Sequence, residues 1–126
     1  MTYCLGLKTR EGIIGFADTR ITTGNDTTSA KKIFSVNRNR HSLFIMTSGL
    51  RSVRDKAITY FNEVIEENDD SFNKLYKAVN AFAEQVKRVA GEDKSSLEEA
   101  GLSFNLFAIV GGQLELDQEP KMYLLY

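Results

Sequence analysis

Four polar residues near the start of the chain have types and spacing that could support nucleophilic catalysis. They are Thr2, Asp18, Arg20 and Lys32. Once Met1 is removed, Thr2 carries a hydroxyl and a free α-amine, and the uncharged amine can accept the proton of this weak nucleophile. A lysine ammonium near the amine lowers the pKa of the amine, and a carboxylate keeps that lysine charged and oriented. The sequence therefore predicts a threonine nucleophile, on the condition that Met1 leaves.

The strands predicted around these residues bring them to one end of a sheet. Apolar and small residues alternate over 2–7, a polar turn follows at 9–12, and a second strand runs over 13–20. This hairpin returns Asp18 and Arg20 to the neighbourhood of Thr2. On composition alone, a salt bridge at a strand end is the better explanation of Asp18 and Arg20. Their position beside Thr2 favours the catalytic interpretation.

Lys32 lies between a predicted loop and a predicted strand. Residues 22–30 contain no large apolar side chain, which predicts an exposed loop that could line a substrate cleft. Lys32 comes directly before a short strand over 33–36, where its ammonium would have fixed partners. A solvated surface lysine is the alternative, and it is the interpretation that we favour for Lys31.

Gly49 follows a strand predicted over 42–47 and precedes a helix. Backbone amides at such a junction point toward an anion above the sheet, so Gly49 could bind an oxyanion. An ordinary glycine bend would give the same pattern. Gly49 is therefore the fifth candidate residue of the site.

Helices and strands follow in blocks through the rest of the chain. The predicted elements are helices over 50–68 and 71–90, a short helical turn over 95–101, and strands over 104–110, 113–117 and 122–126. Asp69, Asp70 and Ser71 offer N-cap oxygens to the second helix, Gly91 is placed to end it, and Gly111-Gly112 predicts a turn. This order predicts an α+β fold with both helices on one face of an antiparallel sheet.

The other face of this sheet has no predicted cover. Several strands are apolar on both sides, which requires a second layer, and no remaining segment of the sequence is predicted to form one. A partner, or residues following Tyr126, would then supply it. We therefore expect residues 1–126 to form a single domain that is truncated at its C-terminal end.

Composition excludes several classes of function. The 16 Lys and Arg residues are balanced by 17 Asp and Glu residues, so there is no basic surplus for nucleic acid. No apolar run approaches the ~20 residues that cross a bilayer, and no targeting segment begins the chain, which predicts a cytoplasmic protein without a membrane partner. Cys4 is the single cysteine and His41 the single histidine. We therefore expect no disulfide, no metal and no cofactor.

Four segments together resemble a known family. They are MTYCLGLKTREGIIGFADTR, SAKKIFSV, IMTSGLRSVRD and LSFNLFAIVGGQLEL. In order and spacing they resemble the proteasome-type threonine peptidases, which are N-terminal-nucleophile hydrolases, and most closely the bacterial branch called Anbu, the ancestral beta subunit. The resemblance covers essentially the whole chain and implies a four-layer αββα sandwich, of which this chain would be the N-terminal portion.

The resemblance also implies a role for each candidate residue. The N-terminal nucleophile of the family matches Thr2, its Asp–Arg pair matches Asp18 and Arg20, its catalytic lysine falls on Lys32, and its oxyanion-hole glycine falls on Gly49. The loop between Arg20 and Lys32 would line the peptide-binding cleft. The serine and aspartate that position the threonine amine later in the family sequence have no counterpart within these 126 residues.

These roles predict a threonine-type endopeptidase subunit that hydrolyses peptides or unfolded proteins inside a homo-oligomeric assembly. Two alternatives remain open. One is a non-catalytic assembly or binding subunit of the same fold, which retention of Met1 would favour. The other is an amidohydrolase acting on a small amide, because the same nucleophile serves both reactions. Nothing in the sequence identifies an ATPase partner.

Overall fold

The computed structural model describes residues 3–23, 25–29, 31–38, 42–68 and 71–126. Within these ranges the elements are β1 (Cys4–Lys8), β2 (Ile13–Ala17), β3 (Arg20–Thr23), β4 (Asp26–Ser29), β5 (Ile33–Asn37), β6 (Ser42–Gly49), α1 (Arg51–Glu67), α2 (Leu75–Glu99), β7 (Leu106–Gln113) and β8 (Lys121–Leu125). The described helices contain no segment that is both long enough and apolar enough to span a membrane.

The central layer is an antiparallel sheet with the strand order β5-β6-β7-β8, and both helices pack on one of its faces. Alternate strand residues such as Leu43, Ile45 and Val110 are buried together with the apolar stripes of α1 and α2. Phe61 of α1 lies at the centre of this core, and its ring centroid is 5.5 Å from that of Phe82 on α2. The predicted α+β fold, with helices gathered on one sheet face, is confirmed.

The hairpin of β1 and β2 covers the opposite face of the sheet, so the prediction that this face has no cover within the chain is wrong. The Phe44 ring of β6 packs between Gly15 of the hairpin and Gly111 of the four-stranded sheet. A Cβ atom at Gly15 would lie 2.7 Å from the Phe44 ring, and one at Gly111 would lie 2.6 Å from it. Gly15 of the hairpin therefore serves close packing between the layers. The layers follow in the order helices, four-stranded sheet, hairpin.

The N-terminal strands differ from the prediction in two places. The hairpin turn is confirmed, because the Thr9 N–H donates to the Gly12 carbonyl at 2.7 Å. The predicted strand over 13–20 is wrong beyond Ala17, since the pairing of β1 with β2 ends there. The predicted loop over 22–30 is also wrong, because β3 and β4 pair from Arg20↔Ser29 to Thr23↔Asp26. Threonine is β-branched and favours strands even without large apolar neighbours.

The second helix is longer than predicted at its C-terminal end and shorter at its N-terminal end. It continues through Gly91 and includes most of the segment predicted as a separate turn, so Gly91 does not end it. A glycine inside a helix costs only about 1 kcal/mol relative to alanine, which the surrounding helix tolerates. Gly101, with φ of +79°, follows the true end.

The last two strands are also shifted. Gly111 and Gly112 lie inside β7, where they pair with β6, and do not form the predicted turn. The ring of Phe44 leaves no room for a side chain at Gly111. The predicted strand over 113–117 is mostly a turn, whose bonds include that from the Asp117 N–H to the Leu114 carbonyl at 3.0 Å. The final strand, β8, agrees closely with the prediction.

Asp117 caps α2 from a distance in sequence. Its Oδ2 accepts the Leu75 N–H at 2.8 Å and the Leu114 N–H at 2.9 Å, and the residue is buried. The N-cap residue of the helix is Lys74, which makes no side-chain capping bond, so the predicted Ser71 cap is wrong. The predicted caps Asp69 and Asp70 lie outside the described residues.

We predict that Asp117→Ala destabilises the protein by about 2–3 kcal/mol, because two buried N–H groups lose a charged acceptor. Urea unfolding of the full-length protein measures the change. Glu119→Ala is the matched control, since Glu119 is an exposed acid in the same turn. Equal stabilities of the two variants would show that Asp117 is not the anchor of this helix end.

Candidate active site

Asp18 makes two hydrogen bonds with Tyr3, the first residue that the structure describes. The Asp18 N–H donates to the Tyr3 carbonyl at 3.0 Å, and the Tyr3 N–H donates to the Asp18 Oδ1 at 3.0 Å. These two bonds extend the hairpin one residue beyond the last paired residues, Cys4 and Ala17, with the carboxylate in place of a backbone acceptor. A charged acceptor strengthens such a bond. The carboxylate is therefore fixed at the open end of the hairpin.

Lys32 reaches the same carboxylate oxygen from the residue before β5. Its Nζ lies 2.9 Å from Asp18 Oδ1 and also donates to the Arg20 carbonyl, and the lysine is buried. The Tyr3 N–H, and after it the Lys32 ammonium, hold the pKa of Asp18 below its ordinary value. The result is an ion pair at one end of the hairpin, confirming the predicted proximity of these two residues.

Arg20 contributes its backbone to this cluster. Asp18 follows the end of β2 and Arg20 begins β3, so the two residues do not lie on one continuous strand as predicted. The Arg20 carbonyl accepts from the Lys32 ammonium, while its side chain is exposed. The catalytic role of the Arg20 guanidinium remains a prediction.

Thr2 and Met1 lie outside the described residues. The nearest described position is Tyr3, which follows Thr2 in the chain and whose N–H binds Asp18 Oδ1. The predicted role of Thr2 as nucleophile is therefore untested by the geometry and stays a prediction.

Gly49 is the last residue of β6, and Leu50 separates it from the start of α1, so it lies at the predicted junction of strand and helix. Its φ is +121°, a conformation that L side chains rarely adopt. A Cβ atom here would lie 2.6 Å from the Asn105 carbonyl oxygen, while the next residue, Leu50, donates its N–H to that oxygen at 3.3 Å. Both the backbone conformation and the close approach of Asn105 require glycine. Oxyanion binding by its amide remains a prediction.

Cys4 lies close to the ion pair and was not among the candidate residues. Its Sγ donates to the Thr47 carbonyl at 3.7 Å. Burial raises the pKa of the Cys4 thiol, the Asp18 charge raises it further, and the Lys32 charge opposes both. The thiol therefore stays protonated at neutral pH and is a poor competing nucleophile. Cys4 lies two residues from Thr2 in the predicted first strand, and this spacing was the available sequence signal, because alternate strand residues share a face.

The chemistry available at this end of the hairpin is electrostatic. A fixed carboxylate and a buried ammonium can set the protonation state of a neighbouring amine and stabilise developing negative charge. The described residues include no group of three or more His, Cys, Asp or Glu side chains placed to hold a metal ion. His41 lies outside them.

Solved structures of Anbu proteins share the fold of this chain over its full length. The Anbu helical assembly from Pseudomonas aeruginosa has a TM-score of 0.83 at 19% identity, covering 100% of this chain and 53% of that one. Anbu from Yersinia bercovieri has a TM-score of 0.82 at 15% identity, with 100% and 52% covered. An Anbu (Gly-1) mutant from Hyphomicrobium sp. strain MC1 has a TM-score of 0.81 at 20% identity, with 100% and 52% covered.

These similarities establish the fold. The chain shares the fold of these Anbu structures, as the sequence resemblance predicted, and spans about half the length of the matched chains. No protein-family model and no curated protein sequence matches it.

Proposed function

We propose that this chain carries the catalytic end of a threonine-type peptidase subunit, with Thr2 as the nucleophile after removal of Met1. One observation supports this most directly. A single oxygen, Asp18 Oδ1, binds both the Lys32 ammonium and the N–H of Tyr3, the residue next to Thr2 in the chain. Two of the three predicted charged groups, those of Asp18 and Lys32, therefore lie beside Tyr3, which supports a role for its neighbour Thr2.

In the proposed reaction the uncharged α-amine of Thr2 takes the proton of its own hydroxyl, directly or through water. The Thr2 oxygen then bonds to the substrate carbonyl carbon, and the carbonyl electron pair moves to its oxygen. When the tetrahedral species collapses, the C–N bond breaks and the leaving amine takes the proton. Water subsequently hydrolyses the acyl ester and regenerates Thr2.

The remaining residues act on protons and charge. The Lys32 ammonium lowers the pKa of a nearby α-amine, and Asp18 holds the ammonium in place. The Gly49 amide would donate to the oxyanion, and removal of one such donor costs other hydrolases on the order of 3 kcal/mol. Peptides or unfolded proteins are the proposed substrates, because this hydrolysis needs an amide bond in extended, accessible backbone.

We further propose that the subunit works in a homo-oligomer in the cytoplasm. One of the matched structures is a helical assembly of an Anbu complex, which supports an assembly for a chain of the same fold. The free cysteine, Cys4, suits a reducing compartment.

The decisive experiment measures the N-terminus and its reactivity in the full-length protein. Intact mass and N-terminal sequencing should show Thr2 as the first residue. An electrophile that needs a hydroxyl and an amine on one residue should then form a single adduct at Thr2, absent in Thr2→Ala and retained in the control Thr9→Ala. Quantitative retention of Met1 in cells, or an adduct that persists in Thr2→Ala, would reject the catalytic proposal.

A further inference from the structure

Arg54, in the first turns of α1, contacts the backbone that carries Lys32. Its Nη2 donates to the Lys31 carbonyl at 3.1 Å, and its Nη1 donates to the Asp55 carboxylate at 2.7 Å. The side chain is only 20% exposed, although arginines on a helix surface usually extend into water. The contact to Lys31 joins α1 to the segment that precedes β5.

The same residue is tied to the turn that follows Gly49. The Arg54 N–H donates to the Leu50 carbonyl at 3.0 Å, and the Leu50 N–H donates to the Asn105 carbonyl at 3.3 Å. The backbone of Arg54 therefore belongs to the helical turn that begins beside Gly49, while its side chain reaches Lys31. One residue links the two segments that hold Gly49 and Lys32.

The Arg54 side chain is more buried than its ion pair with Asp55 requires. Its Nε is buried and makes no hydrogen bond to any residue that the structure describes. An arginine that served only the surface pair with Asp55 could turn outward and leave Nε in water. Arg51 of the same turn does so: it is 61% exposed while its Nε lies 3.5 Å from Asp55 Oδ2.

We propose that Arg54 is a positioning residue of the candidate active site. Through the Lys31 carbonyl it fixes the backbone from which Lys32 reaches Asp18, and through the first turn of α1 it fixes that backbone relative to Gly49. The importance of this for catalysis rests on the proposed function, whereas the positioning of Lys32 does not.

The test measures the pKa of the Asp18 carboxyl by NMR in the full-length protein. In Arg54→Met we expect this pKa to rise by about 0.5 unit or more, because the Lys32 ammonium is no longer held against the carboxylate. Tyr3 still binds Asp18, so the rise is partial. Arg51→Met is the matched control. It removes the same charge from the same turn, and Arg51 is also an ion-pair partner of Asp55. This variant should leave the Asp18 pKa unchanged.

A double-mutant cycle separates positioning from the long-range charge of Arg54. In a Lys32→Met background, Arg54→Met should cause no further rise in the Asp18 pKa. An equal rise in both backgrounds would overturn the proposal, because Arg54 would then act on Asp18 directly. No rise in the Arg54→Met single variant would overturn it as well. Arg54→Gln replaces Arg54→Met throughout if the methionine variant does not fold.

The pH profile of Thr2 labelling gives a second readout. Arg54→Met should move the profile to higher pH, because a displaced Lys32 lowers the pKa of the Thr2 amine less, and Arg51→Met should not move it. If the wild-type protein is never labelled, the proposed function fails, and the Asp18 pKa cycle still decides the role of Arg54.

Discussion

Replacing Lys32 with methionine is expected to reduce the rate of Thr2 labelling by about 10²-fold or more, the usual range for loss of acid–base assistance. The ammonium is buried, and it binds both Asp18 Oδ1 and the Arg20 carbonyl. Methionine keeps much of the length of the side chain and removes the charge. The Thr2 amine would then lose the cation that keeps it uncharged, and fewer molecules would hold it as a base at neutral pH.

Lys31→Met is the matched control for this prediction. Lys31 is the neighbouring lysine, and it is exposed, so its replacement removes the same charge outside the site. Asp18 retains the Tyr3 N–H as a partner in Lys32→Met, and we expect the fold to persist. Urea unfolding of both variants checks this. Labelling of Lys32→Met at the rate of Lys31→Met, with both variants folded, would remove Lys32 from the mechanism.

Gly49→Ala is expected to destabilise the protein by about 3 kcal/mol or more. The φ of +121° strains any L side chain by roughly 1–3 kcal/mol. The added methyl group would also lie 2.6 Å from the Asn105 carbonyl oxygen, so the backbone of one strand or turn must shift. That shift disturbs the bond from the Leu50 N–H to the same oxygen. Urea unfolding measures the loss.

Gly91→Ala is the control for this substitution. Gly91 lies within α2, and a Cβ atom there would meet no atom within 4 Å. Alanine should therefore stabilise the helix, by about 0.5–1 kcal/mol. The same chemical change is thus expected to have opposite signs at the two positions. A Gly49→Ala variant as stable as the wild type would show that the turn before α1 adapts, and that glycine is not required there.

The sequence predicted the parts of the fold that depend on local patterns. The apolar stripe of α1 predicted that helix to within one residue of its observed ends, because the helical period of apolar residues is visible in the local sequence. The ion pair of Asp18 and Lys32 was predictable for a similar reason. A short hairpin returns Asp18 to the chain start, and Lys32 follows only 14 residues later.

The features that the sequence did not reveal depend on contacts between distant segments. Asp117 caps α2 at Leu75, which lies 42 residues earlier in the sequence, and no local sequence pattern predicts that acceptor. Gly111 was predicted in a turn, whereas it lies inside β7, with the ring of Phe44 between it and Gly15. The Arg54 side chain binds the Lys31 carbonyl, 23 residues earlier in the sequence. In each case tertiary packing determines which residues are in contact, and it outweighs local propensity.

The bonds that build the two halves of the site close loops of very different length. Asp18 is joined to Lys32 across 14 residues, whereas Leu50, beside Gly49, is joined to Asn105 across 55 (105 − 50). In an otherwise unfolded chain the longer closure costs about 1 kcal/mol more entropy. We therefore expect the Asp18–Lys32 pair to form earlier during folding than the bond between Leu50 and Asn105. We expect the turn at Gly49 to take its final shape after β7 has docked beside β6, because its partner Asn105 directly precedes β7.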